Sequence, residues 1–232
     1  MKELVKFIKY KGKMTLMTGT AIKGSDNDLA IGGADSVVVK NPITSIPYIP
    51  GSSLKGKIRS LLELHYGQYK QETRKKGGRE IQVGTPCGCG KKDCFICTIF
   101  GAHKNPGAES APTRIIVRDC EMTEESRALI NNLPLEKSSY LETKAENSID
   151  RVSGTAESPR FIERIPAGLD FNVEIVLQIF SGDDDKDMKD KVNEGLSLLQ
   201  NSYIGGSGSR GYGQVKFEGK WSDEGEADDI PS

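Results

Sequence analysis

The sequence contains no apolar run approaching the roughly 20 residues that span a bilayer, so no membrane role is expected. It shows no secretory leader pattern either. Met1-Lys2-Glu3-Leu4 leads into a charged, alternating segment, and a cytoplasmic location is the expectation. Histidine is nearly absent: His65 and His103 are the only two, the first in the apolar stripe of a predicted helix, the second beside a cysteine loop. The P-loop spacing Gly-x4-Gly-Lys-[Ser/Thr] is missing, and so is any internal repeat. Five cysteines in such a chain argue for thiols or a metal site, not a disulfide framework.

Net charge is also almost lacking, at −1, but the balance is uneven. From Asp183 onward there are 6 basic and 12 acidic residues, against 26 and 21 before it. The acids gather in Asp183-Asp184-Asp185 and in the stretch Asp223 to Asp229. The body is therefore mildly basic, which permits a polyanion partner. At 232 residues the chain suits one large domain with insertions, able to bury a core without staples.

What the chain does have is a glycine-rich run, Gly205-Gly206-Ser207-Gly208-Ser209-Arg210-Gly211-Tyr212-Gly213. Nothing in it can pack a core, and glycine serves where backbone needs positive φ or must approach a ligand closely. Arg210 suits a phosphate or base and Tyr212 suits stacking. Arg210 to Phe217 also matches the RNP1 pattern of RNA-binding sheets except at Gln214. The plain alternative is a flexible loop feeding a strand.

Periodicity predicts six main elements. Leu4 to Met17 alternates as a strand around Val5, Phe7, Met14 and Leu16. Ser52 to His65 reads as a helix with Ser52 or Ser53 as N-cap and a stripe of Leu54, Ile58, Leu61, Leu62 and His65. Strands are expected at Arg114 to Met122, Phe171 to Phe180 and Gln214 to Trp221, and a second helix at Asp187 to Tyr203. The order β-α-β-β-α-β is that of an α+β, ferredoxin-like (RRM-like) fold. The expected domain runs over 1–221, with insertions at 19–50, 67–112 and 138–164; loops this long are usually functional. Residues 222–232 read as an acidic disordered tail.

Four constellations carry chemistry. Cys87-x-Cys89-x4-Cys94-x2-Cys97 places two close thiol pairs in eleven residues, which suits tetrahedral zinc in a structural role. Four reduced thiols and an iron–sulfur cluster are the alternatives. Cys120 reads as a small buried hydrophobe. The helix start with Ser52, Ser53, Lys55, Lys57 and Arg59 offers hydroxyls, helix N–H groups and cations to a phosphate, or else an ordinary solvated basic face. Glu142 to Arg151 and Pro159 to Arg164 form a hairpin arm suited to gripping something extended, with Lys144, Asn147, Arg151, Arg160 and Arg164 as its gripping residues; a salt-bridged surface hairpin is the alternative. Asp35 stands behind the glycine pair Gly32-Gly33, a pattern that on its own is routine in turns.

Together, Gly33-Ala34-Asp35-Ser36, Pro47 to Arg59, Ile99-Phe100-Gly101, Glu142 to Arg151, Pro159 to Arg164 and Gly205 to Gly213 resemble the RAMP superfamily. They are most similar to its backbone subunit in type III-A CRISPR effectors, the Csm complex. The resemblance covers about Thr18 to Phe217, in the expected order. It implies a ferredoxin-like palm, a thumb hairpin near Glu142 to Arg164, and copies stacked along a CRISPR RNA beside other effector subunits. It further implies that Asp35 cuts target RNA at regular intervals with magnesium or another divalent cation. The helix start from Ser52 to Arg59 and the loop Gly205, Gly206, Ser207, Gly208, Ser209, Arg210 carry over as guide-backbone contacts. Ala21 departs from the pattern, since close relatives often carry a histidine in that turn; zinc rests on spacing and not on the family. The rivals are a non-catalytic guide-binding backbone subunit and a guide-processing endoribonuclease, the latter commonly dependent on histidine.

Overall fold

The computed structural model describes residues 2–23, 36–133 and 139–224. Its centre is a four-stranded antiparallel sheet of β1 (Leu4–Leu16), β4 (Ile115–Val117), β7 (Asp170–Phe180) and β8 (Val215–Glu224), in the order β4-β7-β1-β8. Two helices, α1 (Gly51–His65) and α4 (Asp185–Gln200), pack against it. Two separate hairpins, β2 (Lys70–Lys76) with β3 (Arg79–Thr85) and β5 (Glu142–Ile149) with β6 (Ala156–Arg164), complete the strands. The short helices α2 (Phe95–Phe100) and α3 (Glu124–Asn131) bring the α-helices among the described residues to four.

Period-two burial makes the sheet. In β1 the core face is Ile8, Tyr10, Met14 and Leu16, while Val5 and Phe7 are exposed. The expected alternation is therefore present but its parity near the start of the strand is corrected. Phe171, Val173, Ile175, Leu177 and Ile179 bury the matching face of β7. Leu54, Ile58 and Leu62 of α1 meet Met188, Val192, Leu196 and Leu199 of α4 over that layer. Gly195 lets the helices close: a Cβ there would stand 2.5 Å from Cγ2 of Ile58. Each fully buried aliphatic side chain of this kind contributes about 1.5–3 kcal/mol.

Three boundaries differ from expectation. His65 leaves the apolar stripe; it is exposed and lies 3.3 Å from Glu194. The strand expected over Arg114 to Met122 pairs continuously only at Ile115–Val117, because Cys120 turns to bridge Ile49 and Met122 bridges Phe171. Helix α4 starts earlier than Asp187, since the Asp184 carboxylate accepts the N–H groups of Lys186 and Asp187 at 3.0 Å. Among the described residues, no helix is long and apolar enough to cross a membrane.

Candidate nucleic-acid interface and metal centre

The glycine-rich run is a built loop. The Gly206 N–H donates to the Ala21 carbonyl at 2.9 Å, and the Gly213 N–H to that of Gly19 at 3.2 Å. Gly213 has φ +73, and a Cβ on it would lie 2.0 Å from the Ile204 carbonyl oxygen, so no other residue fits. The loop is thus moulded onto the 19–22 turn, where the buried Ala21 sits. Arg210 projects from it, with its side chain 56% exposed.

Hairpin β5–β6 meets this loop. Its register shifts between Glu146 and Ser148, where residues 158–159 of β6 oppose the single Asn147, a bulge in β6. Glu146 accepts from the Tyr212 hydroxyl at 2.7 Å and pairs with Arg210. The hydrogen bond from Tyr212 and those from Arg210 hold the Glu146 carboxyl below its usual range. Lys144, Glu146, Asn147, Ser148, Arg160 and Arg210 line one cleft of about 400 Å³. Four residues expected to touch RNA, namely Lys144, Asn147, Arg160 and Arg210, therefore converge from segments far apart in sequence. Arg151 is exposed on the hairpin outside this cleft.

Two expected RNA-binding residues are engaged within the fold. Tyr212 is 1% exposed, its ring covered by the cations of Lys144 and Arg164 at 4.6 Å each, so it braces the loop and offers no face to a base. Arg164 pairs with Glu142 and presses on Gly19, where a Cβ would meet its guanidinium at 2.7 Å. It ties the hairpin to the loop from inside.

The helix start is also partly engaged. Neither Ser52 nor Ser53 is the cap; Asp119 reaches across and accepts the Gly51 N–H at 2.7 Å. Lys55 donates to the Ile115 carbonyl at 3.3 Å, and burial, then the nearby Arg59 charge, lower its pKa. Arg59 bonds Glu63 at 2.7 Å and the Cys87 carbonyl at 2.7 Å, so its guanidinium serves the cysteine loop. Lys57 lies 3.7 Å from the Tyr203 ring centre, linking α1 to the segment that leads into the glycine-rich loop. Ser52 remains exposed and Ser53 half-buried.

Asp35 lies outside the described residues. Both flanks of its segment are placed. Lys23 bridges Val38, Ser36 bridges Ile162, and the Glu163 N–H donates to the Ser36 carbonyl at 3.0 Å. Ser36 is thus fastened to the strand that carries Arg160 and Arg164.

The four cysteines form the second centre. Their sulfurs all lie within 4.8 Å of one another. Cys87 to Cys94 is 3.9 Å, Cys89 to Cys97 is 3.7 Å and Cys87 to Cys97 is 3.7 Å. Zn–S bonds of about 2.3 Å in a tetrahedron place sulfurs about 3.8 Å apart, so the set could hold a metal ion such as zinc. Gly88 permits the turn, because a Cβ there would stand 2.3 Å from the His103 carbonyl oxygen. The loop is anchored from α1, where the buried Glu63 accepts the Cys87 N–H at 2.9 Å. Glu63, Asp119 and Glu146 are not marked by sequence pattern as site residues. The Arg59–Glu63 spacing of i, i+4 is the available signal for the first; the other two act across long sequence distances.

These features have relatives. The family model described as RAMP superfamily matches residues 16–216. The curated protein named CRISPR system Cms endoribonuclease Csm3 from Methanothermobacter thermautotrophicus is 39% identical over 218 residues, spanning 89% of this chain and 82% of its own length. Its namesake from Methanocaldococcus jannaschii is 42% identical over 209 residues, spanning 89% of this chain and 77% of its own length. The chain therefore belongs to the RAMP superfamily and, within it, to the Csm3 family. A crystal structure of a Csm3–Csm4 subcomplex of the type III-A CRISPR-Cas interference complex superposes with a TM-score of 0.56 at 29% identity, over 97% of this chain and 91% of that one. The Methanopyrus kandleri Csm3 crystal structure, at 21% identity and TM-score 0.56, covers 96% of this chain and 79% of its own and shares the fold.

Proposed function

We propose that this chain is the backbone subunit of a type III-A CRISPR ribonucleoprotein, binding guide RNA and cutting complementary target RNA. The observation that carries this is the cleft where Lys144, Asn147, Arg160 and Arg210 converge. The flanks of the Asp35 segment join the base of the same hairpin. The curated relatives are named endoribonucleases, and the similar subcomplex belongs to a CRISPR interference complex. The strand order β4-β7-β1-β8 with two helices on the sheet supports reading 1–221 as a ferredoxin-like palm. Hairpin β5–β6 is then its thumb and the cysteine loop its zinc-binding insertion. Stacked copies along the guide, other effector subunits and a cytoplasmic location belong to the same reading.

In the reaction, the cleft cations and exposed Ser52 hold the guide backbone. The hairpin presents one target phosphodiester out of the duplex. Asp35 orients or deprotonates the neighbouring 2′-hydroxyl, whose oxygen attacks phosphorus while the 5′-oxygen leaves, giving a cyclic phosphate and a 5′-hydroxyl. Among the described residues, the cysteine set is the only cluster of three or more metal-ligating side chains. A catalytic divalent cation would therefore bind through Asp35 and substrate phosphate oxygens, as magnesium commonly does. When bound it would neutralise charge at the scissile phosphate. The test is the assembled complex with end-labelled complementary RNA, with and without magnesium; an intact target in both overturns the reading.

Three expectations follow for the interface and the metal. Arg160→Ala and Arg210→Ala should weaken guide binding across sequences and flatten its salt dependence, by about 0.7 in slope for each phosphate no longer neutralised. A changed sequence preference in place of a uniform loss would show that these residues read bases. Arg59→Ala should instead loosen the cysteine loop, read as faster proteolysis within 67–112. Elemental analysis of protein purified without chelator should find about one zinc per chain; a metal-free protein with an ordered loop would leave the thiols as plain cysteines.

A further inference from the structure

Another cleft lies elsewhere. It measures about 870 Å³ and separates hairpin β2–β3 from the cysteine loop. One wall is the β2 face carrying Lys70 and Arg74, preceded by Tyr69. The other carries Lys91, His103 and Lys104, and two carboxylates, Glu72 and Asp93, also line the cleft, against four Lys and Arg side chains. Beyond the rim, the hairpin turn presents Lys75, Lys76 and Arg79, all exposed. Among the described residues those three form no ion pair, nor do Lys91 and Lys104; Glu72 pairs with both Lys70 and Arg74 at 3.4 to 3.5 Å. Nothing in the fold requires this concentration of cations: β2 and β3 bury almost nothing and are held chiefly to each other.

Tyr69 narrows the choice of partner. It is 39% exposed on the cleft, and its ring lies against Gly84, 3.5 Å from where a Cβ would stand. A groove of cations with a partly exposed aromatic ring is the arrangement that tracks a single-stranded nucleic acid, phosphates on the cations and a base on the ring. An acidic protein surface would use the cations but has no need of a recessed tyrosine. The position adds a second argument. Lys57, midway along α1, meets Tyr203 on the way into the glycine-rich loop, whereas Tyr66, just past its end, meets Phe95 between Cys94 and Cys97. The two clefts have no lining residue in common.

We infer that the cleft between hairpin β2–β3 and the cysteine loop is a second RNA site, taking single-stranded RNA through its backbone. It shares with the proposed function only the class of ligand. The probe is a short fluorescein-labelled oligouridine, titrated against the full chain by anisotropy at low salt. The proteins are wild type, Arg74→Glu/Lys104→Glu, Tyr69→Ala, and Arg160→Glu in the other cleft. All four substituted positions are exposed, and circular dichroism with zinc content verifies folding. The double charge reversal should lower affinity at least about tenfold, and Tyr69→Ala about fivefold or more. With 4-thiouridine in the probe, the cross-linked peptide should contain Tyr69. Wild-type affinity in both hairpin variants together with no Tyr69 cross-link overturns the inference, whatever Arg160→Glu does. Unchanged RNA binding with loss of another subunit from the purified complex overturns it in favour of a protein-docking face. Loss in the hairpin variants with none in Arg160→Glu upholds it and counts against the β5–β6 interface.

Discussion

Asp35→Asn should stop target cleavage while leaving folding, assembly and RNA binding near wild type. Asn keeps the shape of the side chain and removes its charge and basicity. Ser36 and Lys23, which fix the segment to Ile162 and Val38, do so through backbone pairing, so the substitution leaves these anchors intact. Asp35 reads in the sequence as an insertion-loop residue behind two glycines, and a substitution at such a position should move stability by about 0.5 kcal/mol or less. The chemistry has no such reserve. Both histidines lie away from the β5–β6 cleft: His65 faces Glu194 on α1, and His103 sits beside the cysteine loop. Glu146 borders the cleft but is engaged by Arg210 and Tyr212, which favour its ionised, paired form. With no free base lining the cleft among the described residues, losing Asp35 should cost on the order of a hundredfold or more in rate. The measurement is single-turnover cleavage of labelled complementary RNA by the assembled complex. Wild-type rates in Asp35→Asn and Asp35→Ala would make Asp35 a turn residue and the chain a non-catalytic backbone subunit.

Sequence legibility followed the hydrophobic pattern. Strand β7 was readable because Phe171, Val173, Ile175, Leu177 and Ile179 alternate without interruption. In β1 the pattern gave the strand but not its face, since Val5 and Phe7 are apolar on the solvent side of a strand whose core side is Ile8 and Tyr10. Hairpin β2–β3 was invisible because neither face is buried, and Lys-Gln-Glu-Thr-Arg-Lys-Lys has no apolar period to read. Helix α3 carried a signal that the six expected elements left unused: Thr123 accepts the Ser126 N–H at 3.3 Å ahead of Glu124 and Glu125.

At the candidate site, residue types were legible and their allegiances were not. Arg59 looked like a phosphate ligand because i, i+4 cations at a helix start have that look; its partners Glu63 and the Cys87 carbonyl are set by how the cysteine loop folds back. Tyr212 looked like a stacking platform because glycines surround it. Its burial arises from Lys144 and Arg164 on a hairpin dozens of residues earlier. The convergence of the four cysteines was readable, since all four thiols come from one short stretch and spacing alone brings them together.

Arg114→Met should produce the largest loss of stability. Arg114 is fully buried between the sheet and the 67–112 insertion, its guanidinium over the Phe180 ring. It grips Asp183 with two bonds at 2.8 and 3.0 Å, donates to the Ser110 carbonyl at 2.7 Å and bonds Pro112 as well. Met fills much of the volume but leaves Asp183 charged, 9% exposed, and two carbonyls without their donor. Breaking one side of a buried pair costs about 3–5 kcal/mol. Adding Asp183→Asn to Arg114→Met should recover part of that, because the amide needs no countercharge and can still accept the Phe180 N–H, now 3.0 Å from Asp183. The pair also sets a pH dependence. Burial alone would raise the Asp183 carboxyl, but the Arg114 bonds outweigh it and hold the group below its ordinary value. A depressed folded-state pKa means stability that is present above the unfolded value, about 3.9, and lost as pH falls through the folded one. Urea unfolding of the full chain should therefore show wild type losing part of its stability in that acid window while the double variant loses less. A single Arg114→Met variant within about 1 kcal/mol of wild type at neutral pH would mean that the insertion repacks around the uncompensated carboxylate, and that Arg114 does not fasten it to the sheet.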